Sequence, residues 1–90
     1  MKSMKAIVFG RVQGVWFHDS TCMEAQKLNI FGWVENMPDG TVILEAEGEE
    51  NDLKQLEEWL QVGSAGASVE RVDVEWKKPF GDFSTFEIKF

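Results

Sequence analysis

The chain has 90 residues, one histidine, one cysteine and a formal charge of −7. That length holds one small core, so residues 1–90 are expected to form a single domain, and 43% hydrophobic content is enough for it to fold. Acidity spread along the chain excludes general nucleic-acid binding, whose affinity comes from basic side chains on phosphates. A lone histidine and a lone cysteine exclude a structural zinc site and an intrachain disulfide.

The opening run Met4 to Phe9 is short, apolar and ended by Gly10, which predicts a strand. Nothing near the N-terminus has a signal-peptide core and no run is long enough to span a membrane, so a cytoplasmic setting is the expectation. A loop, Gly10-Arg11-Val12-Gln13-Gly14-Val15-Trp16-Phe17, then delivers His18 to the start of a helix. Its glycines let backbone N–H groups turn toward one point, and the helix N-terminus adds the positive end of its dipole. Such a loop suits an anion. Phe17, Thr21, Ala25 and Leu28 fall at helical spacing, with Cys22 beside them as a small core residue, and the helix should stop around Asn29.

Ile30 to Asn36 is rich in strand formers and leads into Met37-Pro38-Asp39-Gly40, a turn in which Pro presets φ, Asp bonds its own backbone and Gly supplies positive φ. Thr41 to Glu47 alternates, with Val42, Leu44 and Ala46 on one face, so the two runs predict a hairpin. Asn51 or Asp52 can cap a second helix that buries Leu53, Leu56 and Leu60 and stops at Gly63, with Trp59 beside the buried stripe as packing. After a small-residue loop from Ser64 to Ser68, Val72, Val74 and Trp76 alternate with Arg71, Asp73 and Glu75 as a half-buried strand. Lys77 to Asp82 connects it to a terminal strand in which Phe86, Ile88 and Phe90 alternate with Thr85, Glu87 and Lys89. The order β-α-β-β-α-β, with the last strand as a short fifth element depending on pairing, predicts an α+β, ferredoxin-like sandwich. Its antiparallel sheet should carry both helices on one face.

Several chemistries are absent. There is no G-x-x-x-x-G-K-[ST] phosphate loop, no dinucleotide fingerprint, no calcium-loop spacing of carboxylates and no nucleophile elbow. RNA recognition, which uses the same sheet plan, calls for aromatic strand motifs with basic residues that this chain lacks. The glycine loop instead resembles the G-x-V-Q-G-V-x-F signature of the acylphosphatase family. Gly32-Trp33-Val34-Glu35-Asn36 with Asp39-Gly40-Thr41-Val42 resembles that family's G-W-V-x-N motif and its D-G-x-V continuation. The likeness runs on through Glu47-Gly48 to Val69–Val72 and covers nearly the whole chain.

That resemblance implies hydrolysis of the mixed anhydride between a carboxylic acid and phosphate, with no metal, cofactor or covalent intermediate. Arg11, Val12, Gln13, Gly14 and Val15 would cradle the phosphate, mainly through their backbone. Asn36 would orient the attacking water, for which an amide with both donor and acceptor is suited. The expected partner is a small acyl phosphate or inorganic phosphate, with no nucleic acid and no membrane, bound by a monomer. Period-two alternation puts Glu35 on the strand face opposite Asn36, away from the anion.

The position after Phe17 departs from the family, which has a phosphate-clamping arginine where this chain has His18. A guanidinium is always charged and grips two oxygens through a planar fork. An imidazole is shorter, offers one donor toward the ligand and has an ordinary pKa of about 6.5. Losing one oxyanion donor costs about 100- to 1,000-fold in rate. Three readings stay open: His18 partly replaces the arginine in a weakened, acid-favoured acylphosphatase; the domain is an inactive phosphate-binding or regulatory module; or His18 is a sporadic or engineered change.

Overall fold

The computed structural model describes residues 1–79 and 81–89. In chain order they form β1 (Lys2–Arg11), α1 (Phe17–Lys27), β2 (Phe31–Asn36), β3 (Val42–Gly48), α2 (Glu50–Val62), β4 (Ser68–Lys77) and β5 (Phe86–Lys89). The strands make one sheet in the order β4-β1-β3-β2-β5. β1 runs past the apolar segment that announces it because it has a partner on each side, Lys2 opposite Gly48 on β3 and Arg11 opposite Ser68 on β4.

One face of the sheet carries Met4, Ala6, Val8, Val34, Val42, Leu44 and Ala46, all buried in a single core. Phe17, Cys22 and Ala25 of α1 and Leu53, Leu56 and Leu60 of α2 close over that face. Each fully buried leucine contributes about 1.5–3 kcal/mol by leaving water. Trp59 packs on Phe17 with ring centroids 5.6 Å apart, tying the C-terminal half of α2 to the start of α1. Cys22 lies at the edge of the core; burial, then the charges of Asp19 and Glu87, push its thiol pKa up, the state of an inert packing residue.

The helix ends are built differently from one another. α1 ends in a Schellman arrangement around Asn29 at φ 58°, with Ile30 N–H donating to Ala25 O (2.9 Å) and Asn29 N–H to Gln26 O (3.1 Å). α2 starts earlier than expected: Glu49 is its N-cap and makes no side-chain capping bond, so Asn51 and Asp52 fall inside the first turn instead of capping it. The run of acids there suits the helix dipole without a cap. Gly63 stops α2 at φ 76°.

The sheet is mixed, not wholly antiparallel, because β5 pairs with β2 in parallel, Gly32 opposite Phe86 and Val34 opposite Ile88. The reason is the path of the chain. Leaving β4 beside Ser3, it crosses to the far edge at the same end of the sheet, so β5 reverses β4 and runs with β2. The crossing covers the face without helices, where Gly81 N–H donates to Glu47 Oε1 (3.0 Å) and both Ser3 and Glu47 are buried. Trp76, expected on a half-buried face, is 42% exposed on the edge strand β4, where it lines an open groove with Glu50 and Lys54 of α2. Phe90 lies outside the described residues. Among the described residues no helix is long and apolar enough to cross a membrane.

Candidate active site

The loop between β1 and α1 is shaped by three residues in unusual conformations. A bulge between Phe9 and Gly10 breaks the β1–β4 register, and a Cβ at Gly10 (φ +130°) would collide with the Ser68 carbonyl oxygen. Gly14 (φ +74°) has open space where a side chain would stand, so its glycine serves the backbone turn and keeps the loop surface clear. Trp16 is left-handed at φ 62°, ψ 20°, and is the N-cap of α1 without a side-chain capping bond. Left-handed residues set among right-handed ones turn successive N–H groups to one side, the geometry of an anion nest.

Among the described residues, Gln13, Gly14, Val15 and Trp16 donate no backbone–backbone hydrogen bond, while the Ser20 N–H opens the ladder of α1 onto the Trp16 carbonyl (2.9 Å). The loop amides and the positive end of the α1 dipole are therefore neighbours. An anion placed there would meet several N–H dipoles that the loop backbone already holds together.

The structure places each residue singled out from sequence. Arg11 is exposed at the end of β1, in register with Ser68. Val12 is 1% exposed, its side chain in the core, so only its backbone faces the loop interior. Val15 is half-buried, and its carbonyl accepts a hydrogen bond from Ser64 Oγ (2.9 Å). His18 is the second residue of α1 and half-buried.

Gln13 does something sequence reasoning did not identify. Its Nε2 donates to Met37 O (2.7 Å) and to Thr41 O (2.8 Å), the residues on either side of the β2–β3 turn. Met37 follows Asn36 directly, and Asn36 pairs with Val42. One side-chain amide thus fastens the glycine loop to the end of β2 and sets the spacing between that loop and Asn36. The available signal was chemical: between Val12 and Gly14, Gln13 is a neutral side chain whose amide nitrogen carries two donors.

The turn itself is held by Asp39, which accepts from Thr41 N–H (3.0 Å) and Thr41 Oγ1 (2.6 Å). Those bonds, the hydroxyl first, hold the Asp39 carboxyl below its usual range. Asn36 and Val34 share the helix-covered face, and Glu35 is on the other. Asn36 Oδ1 is buried and has no hydrogen-bond partner among the described residues. A buried amide oxygen in that condition costs about 1–3 kcal/mol. No group of three or more His, Cys, Asp or Glu among the described residues is placed to hold a metal ion.

The sequence profile of the acylphosphatase family matches residues 4–88. The chain belongs to the acylphosphatase family. It is 45% identical over 86 residues to an acylphosphatase of Anaeromyxobacter dehalogenans, covering 96% of this chain and 92% of that one. Against an acylphosphatase of Acaryochloris marina it is 45% identical over 85 residues, with 94% and 90% covered. The crystal structure of acylphosphatase from Bacillus subtilis matches with a TM-score of 0.97 at 38% identity, over 100% of both chains. The ferredoxin-like α+β fold and the resemblance carried by the two motifs therefore hold, and the chain is an acylphosphatase-like hydrolase.

Proposed function

We propose that the chain, working as one domain and as a monomer in the cytoplasm, hydrolyses small acyl phosphates at the β1–α1 loop, and that His18 limits its rate. The acidic surface leaves nucleic acid out of its partners. Backbone N–H groups from Arg11 to Val15 and the α1 N-terminus hold the phosphoryl oxygens, with His18 as a single-donor clamp. Asn36 holds a water for attack on phosphorus. The water oxygen forms the new P–O bond, the bond to the carboxylate oxygen breaks and its electron pair leaves with the carboxylate. The water's protons remain on the phosphate. A carboxylate leaves without prior protonation, so the work is positioning and charge stabilisation.

The observation that carries this reading is the buried Asn36 Oδ1, which has no hydrogen-bond partner among the described residues, at the strand end tied by Gln13 to a loop whose Gln13–Trp16 amides donate no backbone–backbone bond among those residues. An orphaned acceptor at a site needs an explanation, and a water oriented for attack supplies one. A second reading, an anion-binding module without turnover, is favoured by His18 itself, which replaces a fork of donors by one. Acetyl phosphate hydrolysis alongside thermal unfolding in inorganic phosphate separates the two. Turnover supports the enzyme; phosphate stabilisation without turnover supports the module.

A further inference from the structure

The glycine loop is fastened to the rest of the molecule at two points. Gln13 ties it to the β2–β3 turn. The second tie is at Val15, whose carbonyl accepts a hydrogen bond from Ser64 Oγ (2.9 Å), 49 residues away in the connection between α2 and β4. Ser64 is itself firmly seated. It follows Gly63, where a Cβ would come within 2.7 Å of the Phe17 ring, and its carbonyl accepts from Ala67 N–H (3.0 Å). The hydroxyl is therefore presented to the loop by backbone that is held on both sides.

In a trans peptide unit the C=O and the following N–H point in opposite directions. Holding the Val15 carbonyl toward Ser64 thus turns the Trp16 N–H away from Ser64. On the other side of Trp16, its own carbonyl accepts from Ser20 N–H (2.9 Å). Both peptide planes that flank Trp16 are held, and the angle between them is its left-handed conformation, φ 62°, ψ 20°. A bulky residue seldom adopts that conformation and keeps it only where its surroundings impose it. Packing of the indole does not impose it, since Trp16 is 77% exposed. The ladder of α1 fixes the second plane. The first is fixed by Ser64.

Resting on the function proposed above, we infer that Ser64 is a positioning residue for the phosphate: its hydroxyl holds the Val15–Trp16 peptide in the orientation that aims the Trp16 N–H at the phosphoryl oxygens. Ser64 does not touch the ligand. It removes from binding the cost of turning and ordering that amide, so its loss weakens the grip on the anion.

The test titrates inorganic phosphate into the 15N-labelled chain, Ser64→Ala and Ser64→Thr, reading Kd and the downfield shift of each loop amide as it donates to the anion. Ser64→Ala should raise Kd about three- to tenfold and shrink the Trp16 shift, while the Gln13 and Gly14 shifts persist. Ser64→Thr keeps the hydroxyl and should recover both readouts. A lowered Tm in Ser64→Ala with the Trp16 shift unmoved shows a merely structural role and overturns the inference. So does a Ser64→Thr variant as stable as the unaltered chain that binds phosphate no better than Ser64→Ala. Acetyl phosphate kinetics on the same three proteins keep the two readings separate. The expected phosphate results with no turnover in any of them sink the hydrolytic reading and leave the role of Ser64 standing. Turnover with Kd and Trp16 shift equal in all three overturns the role of Ser64 alone.

Discussion

α1 and α2 both begin without a side-chain cap, yet they meet the demand for negative charge at a helix N-terminus in opposite ways. α2 supplies the charge from its own chain: Glu50 and Asp52 sit in its first turn, and Glu50 is held by Lys54 (3.0 Å) and Lys2 (3.7 Å). α1 has Asp19 in its first turn and is preceded by a loop whose amides add to the demand. One terminus is complete as folded. The other, on the reading proposed above, awaits charge that a ligand brings, and Asn36 Oδ1, at the strand end that Gln13 fastens to its loop, is buried with no hydrogen-bond partner among the described residues. Ser3 Oγ is also buried with no hydrogen-bond partner among the described residues, so an orphaned atom alone does not mark a site. What differs at Asn36 is its setting beside undonated backbone amides.

The largest effect should come from Asn36→Ala. If Asn36 holds the attacking water as proposed, its loss should lower turnover by about 100- to 1,000-fold. Because the lost oxygen has no hydrogen-bond partner among the described residues, stability should stay level or rise by up to about 1 kcal/mol. Steady-state kinetics and thermal unfolding on the same sample check both halves. A large fall in Tm would mean that Asn36 holds the fold and not a water.

Gln13→Ala should cost about 1–3 kcal/mol, because Met37 O and Thr41 O each lose a short bond, and should lower activity by loosening the loop from β2. Denaturant unfolding together with acetyl phosphate kinetics reads both. Loss of activity with stability unchanged would show that Gln13 touches the ligand directly instead of fastening the loop.

A smaller effect separates the two helix termini by ligand linkage. Inorganic phosphate at ten times its Kd should stabilise the chain by about 1.4 kcal/mol. Glu50→Gln should leave that increment unchanged and Gly14→Ala, strained at φ +74°, should reduce it. If Glu50→Gln reduced the increment, phosphate would be binding at α2.

The smallest effect is a pH dependence at α2. The Lys54 hydrogen bond first, then the charges of Lys54 and Lys2, hold the Glu50 carboxyl below its usual range. A carboxyl lowered by folding adds stability above its ordinary pKa of about 4.3, and loses it as pH falls through the lowered value. The Tm advantage of the unaltered chain over Glu50→Gln should therefore shrink between pH 6 and pH 3. An advantage independent of pH would remove the ionic account of that terminus.

How much of this was legible in the sequence follows from the range of each interaction. Alternation in residues 41–47 and the Pro38-Asp39-Gly40 turn announced β3 and its hairpin because strand period and turn chemistry are local. The direction of β5 was not legible, since it depends on where the chain crosses the sheet and no residue in Phe86–Lys89 encodes that. At the site, the glycine loop stood out by type and spacing, and Asn36 through the resemblance of its motif to that of the acylphosphatase family. Gln13 as a fastener did not, because its acceptors lie 24 and 28 residues away. Nor did the left-handed Trp16, since local preference there favours glycine or asparagine and the rest of the loop overrides it.

On the function proposed above, position 18 decides between turnover and binding. The direct measurement is hydrolysis of acetyl phosphate from pH 5 to pH 8 by the unaltered chain and His18→Arg side by side. A guanidinium restores a charged two-donor clamp, so the variant should be faster by roughly tenfold or more at pH 8. Equal rates across that range would contradict the proposal that His18 limits an otherwise competent site.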